Sequence, residues 1–328
     1  MRDSILNFPK QFEWNPKIEN SDKFVAREKF IHAGMGGSQL AGDILKILRP
    51  DMNFISHRGY GLPKLKDSDL QERVLVANSY SGNTEETIDA LMEALNKGLM
   101  TMVIATGGKL LEIAVERQIP YIKLPSLGIQ PRMATGVGIR ALFRTIGDEL
   151  MLQESSNLAS ELNPLKYEKH GKELAGKIKG RIPIIYASDD NSAIARNWKI
   201  KFNETGKVPA FWNVLPELNH NEMTGFSAFI DGISEEAKNL SDKFYFIFLK
   251  DGNDHPRIAA RFNVLEKLFT EKGMPVTTVE LEGANKLRKI FSSLILADWA
   301  TLYNAEQYGL DPEEVPLVEE FKKLIATQ

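Results

Sequence analysis

From Lys29 onward the chain alternates short apolar runs with longer amphipathic stretches. The runs in FIHAGMGGS, RVLVANSYSG, TMVIATGG and IPYIKLPS each end in small or polar residues, and helical periodicity fills the gaps between them. Runs without a polar alternate are buried on both faces, so they predict a parallel sheet covered by helices. The pattern restarts with IPIIYAS, Ile182 to Ser188, and continues with KFYFIFLK, Lys243 to Lys250, and MPVTTVEL, Met274 to Leu281. Helical patterns follow at Asn191 to Phe202, Arg257 to Glu271 and Lys286 to Tyr308, and a short last helix is expected from Val318 to Ala326.

A long polar segment between Leu150 and Arg181, broken at Pro164, separates the two series. The expectation is an α/β protein of two tandem doubly wound parallel-sheet domains, residues 1–152 and 153–328, with a helix closing the second. Composition then removes whole classes of function. The formal net charge is -3, which gives no positive field for nucleic acid. The chain has no cysteine, so a disulfide framework, a thiolate metal site and a cysteine nucleophile are excluded. His32, His57, His170 and His255 lack the paired spacing of metal ligands, and no metal or other cofactor is expected. MRDSILNFPKQFEW has no continuous apolar core of the signal-peptide kind and no run is long enough to span a bilayer, so the expected location is the cytoplasm, with no membrane partner.

The two halves differ where their first strands end. The first offers GMGGS, Gly34 to Ser38; the second offers SDDNS, Ser188 to Ser192, with two carboxylates where an anion would approach. Glycines at a strand-to-helix junction let a backbone close on an anion at the helix N-terminus, although a tight turn alone also needs them. The spacing is neither a dinucleotide fingerprint nor a Walker loop. SYSGNTEET is more specific, because Ser79, Ser81 and Thr84 surround Gly82 at a helix start and a cap needs only one hydroxyl. Gly37, Ser38, Ser79, Ser81 and Thr84 are therefore the candidate phosphate-binding residues. A third cluster, LPELNHNEMTGF, gathers His220, Asn219, Asn221, Glu217 and Glu222, and NETGK, Asn203 to Lys207, closes a helical pattern upstream of it.

GMGGS and SYSGNT together resemble the sugar isomerase domain, and IQPRMATG, NETGKVPAFWNVLPELNHNE and VPLVEEFKKL extend the resemblance to the bifunctional phosphoglucose/phosphomannose isomerase family over the full chain. That resemblance implies an aldose-ketose isomerase acting on phosphorylated hexoses without a cofactor, as a homodimer to which His220 is contributed across the interface. It implies Glu204 as the base that moves a proton between C1 and C2 through a cis-enediolate; were Glu204 not the base, Glu222 is the first other candidate. It implies His220 in ring opening, oriented by its polar neighbours, Arg132 on the enediolate oxygen, and Lys322 (or the adjacent Lys323) in ring opening; Lys207 reads as structural. A non-catalytic phosphosugar-binding regulator would share the phosphate loops but has no need of the base, the histidine and the basic C-terminal helix together. An amidotransferase of the glucosamine 6-phosphate type would need a cysteine nucleophile, which the chain lacks.

Overall fold

The computed structural model describes residues 1–25, 27–226 and 234–325. The chain divides into two compact units, Leu6–Leu162 on the one hand and Met1–Ile5 with Asn163–Gln328 on the other. In the N-terminal unit five parallel strands, β1 (Lys29–Ala33), β2 (Asn53–His57), β3 (Arg73–Asn78), β4 (Met100–Ala105) and β5 (Tyr121–Lys123), lie in the order β2-β1-β3-β4-β5. Helices α1 (Gly36–Leu48), α2 (Glu85–Asn96), α3 (Gly108–Glu116) and α4 (Thr135–Ile146) follow their strands. All six residues of β3 are buried, as an uninterrupted apolar run in a covered central strand must be. Ile31, Leu75, Ala77 and Val103 pack there against Ala90, Leu91 and Leu110 of α2 and α3.

The second unit repeats the plan with four parallel strands, β6 (Ile182–Ser188), β7 (Phe211–Leu215), β8 (Phe244–Lys250) and β9 (Val276–Glu280), in the order β7-β6-β8-β9. Its helices are α5 (Leu165–Ile178), α6 (Ser192–Glu204), α7 (Pro256–Glu271), α8 (Lys286–Gln307) and α9 (Pro316–Ile325). Phe246, Phe248, Phe262 and Phe269 form an aromatic core, with Phe246 and Phe269 edge to face at 4.5 Å. The helical patterns appear within two residues of their expected bounds; Ala326, the expected end of the last helix, lies outside the described residues. The apolar runs do not announce β2 and β7, both edge strands; only Phe54 of β2 is buried, and Phe211 of β7 is exposed. Among the described residues no helix is long and apolar enough to cross a membrane.

In each sheet the chain leaves its first strand toward one edge and then returns to build toward the other. The reversal falls between β1 and β3, and again between β6 and β8. Such a switch point opens a crevice at the carboxyl ends of the strands, which is where doubly wound proteins bind ligands.

Candidate active site

At the first switch point β1 and β3 pair in register, Ala33 opposite Ala77, and the loops that follow them meet. Met35 stands at the N-cap of α1 with no side-chain hydrogen bond to the helix. Thr84 has the extended backbone of an N-cap before α2 (φ -71°, ψ 118°), yet its hydroxyl does not cap either. It pairs instead with Ser79 Oγ at 2.7 Å. A Thr cap is worth about 1 kcal/mol, so its diversion leaves the first-turn N–H groups of α2, with their positive dipole end, to an outside anion.

The hydroxyls are placed by backbone donors. Ser79 Oγ accepts from Gly82 N at 3.1 Å, Ser81 Oγ from Asn83 N at 3.3 Å, and Ser38 Oγ from Tyr80 N at 2.8 Å, which ties the two loops together. A hydroxyl that accepts still has its proton to donate. Ser38, Ser81 and one member of the Ser79–Thr84 pair thus keep a donor for an anion, fewer than four independent hydroxyls would give.

Two glycines permit this approach. Gly82 has φ +75°, and a Cβ there would lie 1.8 Å from Gly107 O. A Cβ on Gly37 would lie 2.6 Å from Arg132 N, so the glycine loop rests directly on the Pro131–Met133 turn that carries Arg132. Arg132 is 1% exposed. The N-terminal unit therefore brings together Gly37, Ser38, Ser79, Ser81, Thr84 and the Arg132 turn.

Sequence reasoning missed what lies underneath. Asn78 Nδ2 donates to Ser38 O at 3.1 Å and to His32 Nε2 at 3.0 Å; His32 Nδ1 faces Gln39 Oε1 at 3.1 Å, and Gln39 Nε2 donates to Asp43 Oδ1 at 3.2 Å. Asp43 pairs in turn with Arg58. Burial pushes the His32 pKa down from 6.5 to about 4, against the opposing pull of Asp43. The neutral ring can then donate through Nδ1 and accept through Nε2, as this relay requires. The available signal was a polar residue inside each of two otherwise apolar runs, FIHA and LVAN.

The C-terminal candidates lie on three separate elements. Glu204 is the last residue of α6, and Lys207 Nζ donates to its carbonyl at 2.6 Å and also to the carbonyl of Glu314, just before α9. Lys207 is thus a structural staple between the base-bearing turn and the stem of the last helix. His220 follows β7 on an exposed turn, with its N–H donating to Glu217 O at 2.9 Å. The polar residues around it do not grip its ring. Asn221 Nδ2 donates to Glu217 Oε1 at 2.6 Å, and Asn219 accepts from Arg261 at 3.0 Å. Glu222 accepts from Tyr186 OH at 2.5 Å and from Asn213. Both oxygens of Glu222 are thereby held as a clasp on the loop, which makes it a poor alternative base. Lys322 sits on α9, none of whose described residues is buried, and pairs with Glu319 at 2.8 Å.

A cavity of about 290 Å³ in the second unit, lined by Lys166, His170, Lys177, Thr277 and Ser292 among others, contains none of these residues; the loop chemistry at the strand ends is the better guide to an anion site. Among the described residues no group of three or more histidines or carboxylates is placed to hold a metal ion.

Residues 167–325 match the family model of the bacterial phospho-glucose isomerase C-terminal SIS domain. The chain is 32% identical over 328 residues to a bifunctional phosphoglucose/phosphomannose isomerase of Aquifex aeolicus, covering 97% of this chain and 96% of that one. It is 34% identical over 317 residues to the enzyme of the same name from Thermoplasma volcanium, covering 94% and 95%. Among solved structures, tagatose-6-phosphate ketose/aldose isomerase from Escherichia coli superposes with a TM-score of 0.68 at 15% identity, over 95% of this chain and 93% of that one, a likeness of fold.

Proposed function

Because the chain belongs to the family of bifunctional phosphoglucose/phosphomannose isomerases, we propose that it interconverts glucose 6-phosphate and fructose 6-phosphate, and mannose 6-phosphate and fructose 6-phosphate. The observation that carries this reading is the pair of helix N-termini without side-chain caps, meeting with four hydroxyl-bearing residues, Ser38, Ser79, Ser81 and Thr84, at the first switch point. Gly37, Ser38, Ser79, Ser81 and Thr84 take the phosphate. His220 and Lys322 serve ring opening, which takes a proton from the C1 hydroxyl and returns one to the ring oxygen. Glu204 removes the proton at one of C1 and C2 and returns it at the other, and the Arg132 guanidinium offsets the charge that grows on the enediolate oxygen. The protein acts in the cytoplasm as a homodimer, with His220 supplied across the interface, at the hexose phosphate exchange shared by glycolysis and gluconeogenesis.

The test is conversion of fructose 6-phosphate by purified protein, following both aldose phosphates with and without a chelator. Both should form at rates indifferent to the chelator. Tight binding of sugar phosphates with no conversion would establish a non-catalytic phosphosugar-binding protein instead.

A further inference from the structure

We propose that the buried Lys201–Asp298 pair, with the Asn304–Gly206 hydrogen bond further along α8, fixes the register of α6 against α8 and so positions the Glu204 carboxylate. This inference rests on the proposed role of Glu204 as the base. The two helices pack together, and polar contacts mark their seam. Trp198 Nε1 donates to Ser293 Oγ at 2.9 Å, Lys201 Nζ to Asp298 Oδ1 at 2.5 Å, and Asn304 Nδ2 to Gly206 O at 2.8 Å. Lys201 stands one turn before Glu204. Its carbonyl accepts from Thr205 N at 2.8 Å and from Gly206 N at 3.0 Å, which closes the helix directly after Glu204. A Cβ on Gly206 would lie 2.8 Å from Phe202 O, so the chain folds back tightly there. The backbone on both sides of Glu204 is thus tied to α8 by Lys201 before it and Gly206 after it.

Stability does not account for the ion pair. The side chains of Lys201 and Asp298 are 0% and 1% exposed, and the desolvation of two such charges consumes most of what their attraction returns. A well-packed apolar pair would join the helices at least as firmly. What the charges add is intolerance of other registers, since sliding or rotating α6 would strand both of them in the core. A register error at Lys201 is carried one turn on to Glu204, and displacing a reacting group by ~1 Å costs on the order of a hundredfold in rate.

Removing one partner alone strands the other charge and is expected to unfold the unit, so the test removes both in Lys201→Met/Asp298→Leu. The double variant should fold with an undiminished Tm and keep its KM for fructose 6-phosphate within about twofold, while kcat falls roughly ten- to a hundredfold. A purely structural pair would not split kcat from KM in this way. A native kcat overturns the proposal, and so does loss of the fold, because the pair would then be a determinant of stability. Glu204→Gln is measured alongside. If that variant is inactive while the double variant works normally, the positioning role fails and the base assignment stands; if Glu204→Gln itself turns over at the native rate, both are overturned.

Discussion

The two switch points share a strand order and differ in what fills them. At the first, glycines and hydroxyls end the strands, and neutral groups support the loops from below. At the second, Ser188 Oγ donates to Asp254 Oδ1 at 2.5 Å, Asn191 Nδ2 donates to Ser188 Oγ at 3.0 Å and to Asp254 Oδ1 at 3.2 Å, and Lys289 pairs with Asp251. Burial raises the pKa of Asp254. The protein's own carboxylates thus stand where the first unit would take a phosphate, and its own lysine neutralises one of them. The fold offers the same crevice twice, and side chains set which of the two suits an anion. On the proposed reading the second unit, relieved of anchoring, would supply the chemistry from its flanks instead, with Glu204 at the end of α6 and His220 after β7.

If anchoring and chemistry are divided in this way, they should fail separately. The largest effect is expected at Glu204. Glu204→Gln keeps size and much of the hydrogen bonding but removes the proposed base, so kcat should fall by on the order of a hundredfold or more. Calorimetric affinity for a non-reactive sugar phosphate should be unchanged, and deuterium wash-in at the substrate C1 and C2 positions should nearly vanish. Native exchange in this variant would return the chemistry to some other group. The converse variant, Ser79→Ala/Ser81→Ala/Thr84→Ala, should raise KM by on the order of a hundredfold while kcat stays near native. Hydrogen bonds to a charged ligand are worth roughly 1.5 to 3 kcal/mol each, discounted here because the three are coupled. An unaltered KM in the folded triple variant would break the comparison at its first member.

The support beneath the first crevice should also respond to pH. His32 is held neutral when folded, with a pKa of about 4 against 6.5 when exposed. As pH falls below 6.5 the unfolded chain takes up this proton and the folded one does not, so stability declines. The loss levels off once pH passes below about 4, at a total of about 3 kcal/mol. His32→Gln removes this contribution, so the gap between native and variant in urea unfolding should narrow from pH 7 to pH 4.5. A gap that does not move with pH would mean that His32 is not buried as a neutral ring.

Much of this division was legible in residue types, and much less in their connections. Apolar runs announced β1, β3, β4, β6 and β8 because central strands of a parallel sheet need no polar alternate. FWNVL did not announce β7, because an edge strand with only Leu215 buried has no such constraint. The hydroxyl loop was visible as an excess of hydroxyls over what a cap requires, whereas the pairing of Ser79 with Thr84 was not. LNHNE suggested a polar cradle for His220, but its side chains grip one another, Arg261 and the β6–β7 strands, since a surface turn must first satisfy its own groups. Lys201 and Asp298 read as unremarkable helix residues 97 positions apart, and only tertiary packing makes them a pair.

The smallest effect is the sharpest comparison of backbone, because a loop follows the third strand of each unit in the same topological place. After β3 the turn contains Gly82, with φ +75° and Gly107 O in the space a side chain would need; after β8 it contains Gly252, where an added Cβ meets nothing within 4 Å. Gly82→Ala must therefore shift two loops and adopt a left-handed conformation, at a cost of about 2 kcal/mol. The shift also turns Ser79 away from Gly82 N, and KM should rise with the loss of stability. Gly252→Ala asks for neither adjustment and should stay within about 0.5 kcal/mol of native, with native KM. Urea unfolding of both variants, each assayed with fructose 6-phosphate, decides the matter. Equal behaviour would show that the two crevices are conformationally interchangeable and that the charged side chains alone separate them.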